Sequence, residues 1–197
     1  MKVLVACEVS GVVRDAFRAK GHDAYSSDLQ ASDSPYHIQG DVREILHKGW
    51  DLIIAHPPCT FLTTTGARWL YDSRYPTRRQ DREDAVQFAK MFYDVADKVA
   101  IENPVGYLST AWRKPDQYIQ PYEYGHSASK KTGLWLKGLP KLTPTNIVEV
   151  EYVTTSTGKR FSKWYWDTSK LKSQDRQNAR SKTFQGIADA MAAQWGV

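Results

Sequence analysis

A thiol and a carboxylate, each closing a short apolar run, are the side chains of this sequence best placed to do chemistry. Asp51-Leu-Ile-Ile-Ala-His56-Pro57-Pro58-Cys59 ends in a proline pair and a cysteine, and Val99-Ala-Ile101-Glu102-Asn103-Pro104 reaches a carboxylate. A thiolate at Cys59 would be a nucleophile, given a positive or dipolar neighbourhood to ionise it. Pro57 and Pro58 stiffen the backbone that aims it. At Glu102, apolar surroundings are expected to raise the carboxyl pKa and make it a general acid able to protonate a ring nitrogen. Together the two groups suit covalent attack on an electron-poor ring. Each also has a plainer role open to it, Cys59 as an inert buried thiol and Glu102 as a salt-bridge partner or helix cap.

The elements that must position these groups follow from the apolar pattern. Runs of this length bounded by breakers read as buried strands of a parallel sheet, and ligands of such sheets sit beyond the carboxyl ends of the strands. A first strand spans 2–7, followed by the turn Glu8-Val-Ser10-Gly11 and a helix carrying Val12, Val13, Ala16 and Phe17 that stops before Gly21. Strands are predicted at 23–27, ending at Asp28, at 36–39, closed by Gly40-Asp41, and at 52–55. A helix over 80–94, with Ala85, Phe88, Ala89 and Phe92 at helical spacing, precedes a strand at 99–101. This alternation predicts an α/β fold, a mostly parallel twisted sheet flanked by helices. The polar, Arg-rich stretch 60–79 is a candidate active-site loop. Further strands are predicted at 132–136 and 146–153, and a terminal helix places Ile187, Met191 and Trp195 on one face.

Composition bounds the function. A chain of 197 residues, 41% hydrophobic and 25% charged, reads as one soluble globular domain. It has no membrane-length apolar run, and its N-terminus enters a strand without a secretory leader. Cys7 and Cys59 are too few for a disulfide framework, which points to a reducing cytoplasm. The five histidines show no zinc spacing, so no metal is expected. The net charge is +5, and the excess is concentrated over 159–182, where eight Lys and Arg interleave with Phe161, Trp164, Tyr165 and Trp166. Basic groups attract phosphates and aromatic faces stack on bases. The alternative is a solvated surface.

These residues carry a resemblance. His56-Pro57-Pro58-Cys59-Thr60-Phe61 resembles the Pro-Cys nucleophile motif of the DNA (cytosine-5) methyltransferases, and Glu102-Asn103-Pro104-Val105 resembles their Glu-Asn-Val motif, in the same order. The similarity extends to Gly11, Asp28 and Gly40-Asp41-Val42, with a weaker echo at Phe184-Gln-Gly186-Ile-Ala188. The chain looks like a short, bacteriophage-type relative, which would place it in the host cytoplasm if phage-encoded. The resemblance implies a Rossmann-like S-adenosylmethionine-dependent methyltransferase fold over residues 1–197. It implies Cys59 as nucleophile at C6 of a cytosine, Glu102 at N3 and Lys130 as a cationic contact. It implies a cofactor pocket of Glu8, Ser10, Gly11, Asp28, Asp41 and Pro57, with Asp28 on the ribose and Asp41 on the adenine edge. Pro58, Asn103, Lys163 and Trp164 would meet the substrate. Asp28 and Asp41 could instead be cap or turn residues.

The chain also departs from the family. Ala6 stands where an aromatic lies on the adenine, the first turn keeps one glycine, and a lysine replaces an arginine fork at Lys130. Only 142–180 is available as a reduced target-recognition segment. The leading expectation is C5 methylation of cytosine in DNA. The same chemistry on a free pyrimidine nucleotide, or a nucleic-acid-binding module with weak turnover, are the other readings.

Overall fold

The computed structural model describes the backbone of residues 1–197 and the side chains of all but 65 and 66. The chain runs through β1 (Lys2–Ala6), α1 (Val12–Ala19), β2 (Asp23–Asp28), β3 (His37–Gln39), β4 (Leu52–Ala55), α2 (Arg78–Met91) and β5 (Lys98–Pro104). It continues through α3 (Leu108–Ala111), β6 (Gln117–Ile119), β7 (Thr132–Lys137), β8 (Tyr152–Thr154), β9 (Arg160–Ser162), α4 (Lys163–Ser169), α5 (Ser173–Ser181) and α6 (Gln185–Trp195). Seven strands form one sheet in the order β3-β2-β1-β4-β5-β7-β6, and only β7 opposes the others. The fold is Rossmann-like, a mostly parallel sheet with helices on both faces.

Both faces of the central strands are buried, which is why their sequences are apolar without alternation. Val3, Val5, Leu52, Ile54 and Leu134 pack on one side against α1 and α6, through Phe17, Ile187, Met191 and Trp195. Leu4, Ile53, Ile101 and Trp135 pack on the other against Val86, Ala89 and Phe92. Each fully buried side chain of this size contributes about 1.5–3 kcal/mol. A helix as short as α1 is therefore held by packing rather than propensity.

Register sets the site. Ala6 pairs with Ala55, and Ala55 with Ile101. The next residues, Cys7, His56 and Glu102, consequently form a row across three adjacent strands, and the amide of His56 donates to the Ala6 carbonyl at 2.9 Å. The strand expected at 99–101 runs on to Pro104 because β7 pairs with it antiparallel, opposing Leu134 to Glu102.

Two sequence expectations change. The strand predicted at 146–153 forms only at Tyr152–Thr154, as a hairpin with β9 outside the main sheet. The preceding backbone is held elsewhere: Thr145 and Asn146 donate to the Glu123 carbonyl and Val148 to that of Tyr122. The segment 142–180 also contains α4 and α5, which the sequence did not reveal. No described helix is long and apolar enough to cross a membrane.

Candidate active site

Cys59 and Glu102 are delivered by neighbouring strands, and backbone contacts bind their loops into one unit. Pro57 is buried and Pro58 exposed. Asn103, 1% exposed, donates Nδ2 to the Pro57 carbonyl at 2.9 Å. Beyond the cysteine, Leu62 and Thr63 donate their amides to the Cys59 carbonyl, and Tyr107 donates to the Leu62 carbonyl at 2.7 Å. Thr63 also bridges to Gly106, where an added Cβ would lie 2.1 Å from the Leu62 oxygen. Pro57, expected at the cofactor, and Asn103, expected at the substrate, are thus joined to each other, which ties the Cys59 loop to β5; Asn103 Oδ1 is buried with no hydrogen-bond partner among the described residues.

The electrostatics correct one expectation. Burial acts to raise the Glu102 carboxyl, but its hydrogen bond with His56, the Lys130 charge and Thr132 outweigh it and hold the group below its ordinary value. His56 Nδ1 lies 2.8 Å from Glu102 Oε2, with 9% and 14% of the two side chains exposed. The resting acid is an ionised carboxylate, because the partners come from elements that the local apolar sequence does not show. Burial likewise pushes the Cys59 thiol up, the Glu102 charge adds to that, and Lys130 opposes it. Cys59, Glu102 and Lys130 are thus close enough to act on one another. A ring that neutralised Glu102 would remove one of the influences that keep the sulfur protonated.

A second cluster surrounds the tip of β1. Cys7, the one described non-glycine residue with positive φ (59°), turns the chain out of the strand. Its thiol is pushed up to about 12 by burial first and then by the charges of Asp28 and Asp41. Glu8 is buried; its Oε1 accepts from the Ser10 hydroxyl at 2.9 Å and the Val13 amide at 3.0 Å, so that it caps α1. Its Oε2 is buried with no hydrogen-bond partner among the described residues. Gly11 adopts φ 73°, and a Cβ there would meet the buried Arg14 guanidinium at 2.1 Å. Asp28 closes a turn, its Oδ1 accepting from the Gln30 amide at 2.9 Å. Asp41, by contrast, caps the turn at Val42–Glu44 and is chelated by Arg43, whose hydrogen bonds hold its carboxyl at about 2. Of its two possible roles the structure shows the cap.

A small pocket opens over Glu102, with Lys130 and Thr132 at its polar edge and Phe184, Ile187 and Met191 as its apolar wall. Phe184 packs against Trp164 and His126, each with ring centroids 5.2 Å away. Trp164 therefore buttresses the wall and does not line it. Lys163, expected at the substrate, is an exposed residue paired with Asp167 at 2.8 Å, the i, i+4 partner that α4 provides.

Sequence reasoning assigned no role to His56, and it read 60–79 as a candidate active-site loop without singling out residues in it. There Arg68 lies over Trp69, Arg78 over Phe61 and Arg79 over Tyr71, while Arg82 stacks on Tyr107 at 3.4 Å. None of these four has a carboxylate partner among the described residues. Tyr71 is 82% exposed. The signal was present as arginines interleaved with aromatics.

No family model matches the sequence, and no curated protein matches it. Among solved structures, the chain is similar to the Entamoeba histolytica methyltransferase EhMeth, with a TM-score of 0.50 and 10% identity. The likeness covers 77% of this chain and 58% of that one, so the chain spans less than two thirds of that protein's length. At this identity what the two proteins share is the Rossmann-like architecture.

Proposed function

We propose that this protein is an S-adenosylmethionine-dependent methyltransferase acting on C5 of cytosine in DNA through a covalent adduct on Cys59. The observation that carries this reading is the setting of Glu102: it lines a pocket together with Lys130, and these two are the charged groups that act on the Cys59 thiol. In the reading, Glu102 takes up a proton from solvent and shares it with N3 of the ring, which neutralises its charge. Cys59, its own proton passing to solvent, adds its sulfur to C6. The electron pair moves toward C5. S-adenosylmethionine would supply the electrophilic methyl group. A base then takes the C5 proton, and the electron pair of that bond re-forms the C5–C6 double bond, breaks the C6–S bond and returns the thiolate.

The residues around β1 fit that cofactor at two places. The partnerless buried Oε2 of Glu8 suits an ammonium donor, and the Asp28 carboxylate suits ribose hydroxyls. Nucleic acid as the partner is supported by two basic, aromatic surfaces. One is formed by Arg78 over Phe61 and Arg79 over Tyr71, on the segment that follows Cys59; the other joins the pocket wall through Trp164. A free pyrimidine nucleotide is the second reading, favoured by the slightness of 142–180, in which α5 buries no residue.

Radiolabelled methyl transfer, offered DNA, RNA and deoxycytidine nucleotides in parallel, tests the proposal. Label in DNA at cytosine C5, lost in Cys59→Ala, is the expected result. Label only in free nucleotides would move the assignment to the second reading, and no label in any substrate would reject both.

A further inference from the structure

His56 occupies the middle of the strand-tip row, between Cys7 and Glu102, and shares with Glu102 the sheet face that looks toward α6. Its Nδ1 is committed to Glu102 Oε2 at 2.8 Å. Its Nε2 is buried with no hydrogen-bond partner among the described residues, and so does not meet the Cys59 sulfur. A histidine serving as base to the thiol would need that contact. This one acts on the acid. A buried ring nitrogen left unpartnered is also a cost that an apolar side chain would avoid, so packing gives no reason for an imidazole here.

We propose that His56 is a positioning residue: by binding Oε2 it fixes the plane of the Glu102 carboxylate and leaves Oε1 as the edge that meets the pyrimidine ring. The role in turnover rests on the function proposed above; the positioning itself does not. The other titratable groups around the pair are Lys130 ahead of β7, Cys59 on the loop that His56 begins, and Cys7 next in the row. Lys130 and His56 both pull the carboxyl down, and α6 contributes the apolar Ile187 and Met191. Removing the imidazole leaves burial opposed only by Lys130 and Thr132, so Glu102 must titrate at higher pH.

The test uses three proteins: wild type, His56→Ala and His56→Asn, whose amide nitrogen can stand where Nδ1 does. Glu102 titration is followed by carboxyl-labelled NMR, and the rate of adduct formation with a 5-fluorocytosine oligonucleotide is followed against pH. The Glu102 midpoint is expected to rise by about one unit in His56→Ala and to return most of the way in His56→Asn. The inflection of the adduct rate should move with it. An unchanged midpoint in His56→Ala would overturn the positioning role, as would a midpoint that moves while the adduct profile stays still. If wild type forms no adduct at any pH, the proposed function fails, while a midpoint that rises and is rescued by asparagine still upholds the positioning.

Discussion

Asn103 Nδ2 and the Pro57 carbonyl oxygen, 2.9 Å apart, join the strand that carries Glu102 to the loop that carries Cys59. Both residues are buried, so the hydrogen bond is made where water cannot replace it. Two backbone contacts between 62–63 and 106–107 repeat the connection on the far side of Cys59. The sulfur is thus held from both flanks.

Asn103→Ala should therefore harm chemistry more than stability. Leaving the Pro57 carbonyl unpaired costs about 1–3 kcal/mol, a fall in Tm of several degrees for a chain of this size. Loss of aim at Cys59 should slow adduct formation about 100-fold. Thermal unfolding and trapping by a 5-fluorocytosine oligonucleotide measure the two effects. A variant that loses stability and keeps the adduct rate would remove the aiming role.

Alkylation of Cys59 against pH reads the coupling between thiol and acid. Burial and the Glu102 charge raise this thiol and Lys130 lowers it, so half-maximal reaction with iodoacetamide should lie above the ordinary thiol range. Glu102→Gln removes a raising influence and should move the midpoint down; Lys130→Met should move it up. Cys7, pushed up to about 12, should stay silent through most of the range. Midpoints unaffected by either substitution would show that the three groups do not interact.

Glu102 also links folding to pH, with a definite sign. Its folded-state pKa lies below the ordinary carboxylate value. The stability it contributes is therefore fully present above that ordinary value and is lost as pH falls through the folded one. Urea unfolding at a series of acidic pH values should show a steeper loss in wild type than in Glu102→Gln. Parallel curves would mean that the pair with His56 adds nothing to the fold.

Much of this architecture is legible in the sequence, for physical reasons that also explain what was not. Strands β1, β4 and β5 are buried on both faces and so read as apolar runs ending at their reactive tips. Strand β6 has three residues, and α5 buries none of its side chains, so neither leaves a period to detect. The sign of the Glu102 shift depends on His56, 46 residues away in the chain. That pairing follows only from the register Ala6–Ala55–Ile101, which places residues at equal offsets from three strands side by side. Asp41 was ambiguous because cap and ligand use the same carboxylate; Arg43, two residues on, decides it.

The two basic surfaces make separable predictions about nucleic acid. Arg78 lies over Phe61, two residues beyond Cys59, and Arg79 over Tyr71, and neither has a carboxylate partner among the described residues, whereas Lys163 is already paired with Asp167. Replacing both arginines by alanine should lower the slope of log affinity against log salt by about 2 for duplex DNA. Lys163→Ala should change it little. Equal slopes for wild type and the double arginine variant would exclude this loop as a phosphate contact.

Gly106→Ala tests whether the two loops must touch. An added Cβ would lie 2.1 Å from the Leu62 carbonyl oxygen and 3.3 Å from Thr63 Cα, both backbone atoms that cannot turn aside. The backbones must separate, at a cost of about 1–3 kcal/mol, and the segment that leads back to Cys59 moves with them. Gly158→Ala is the control. Gly158 lies between β8 and β9 at φ 78° with nothing within 4 Å of an added Cβ, so alanine there meets only backbone strain of about 1–2 kcal/mol. The two variants should lose similar stability, but only Gly106→Ala should lose the adduct. If both keep it, the contact at Leu62 serves the fold alone.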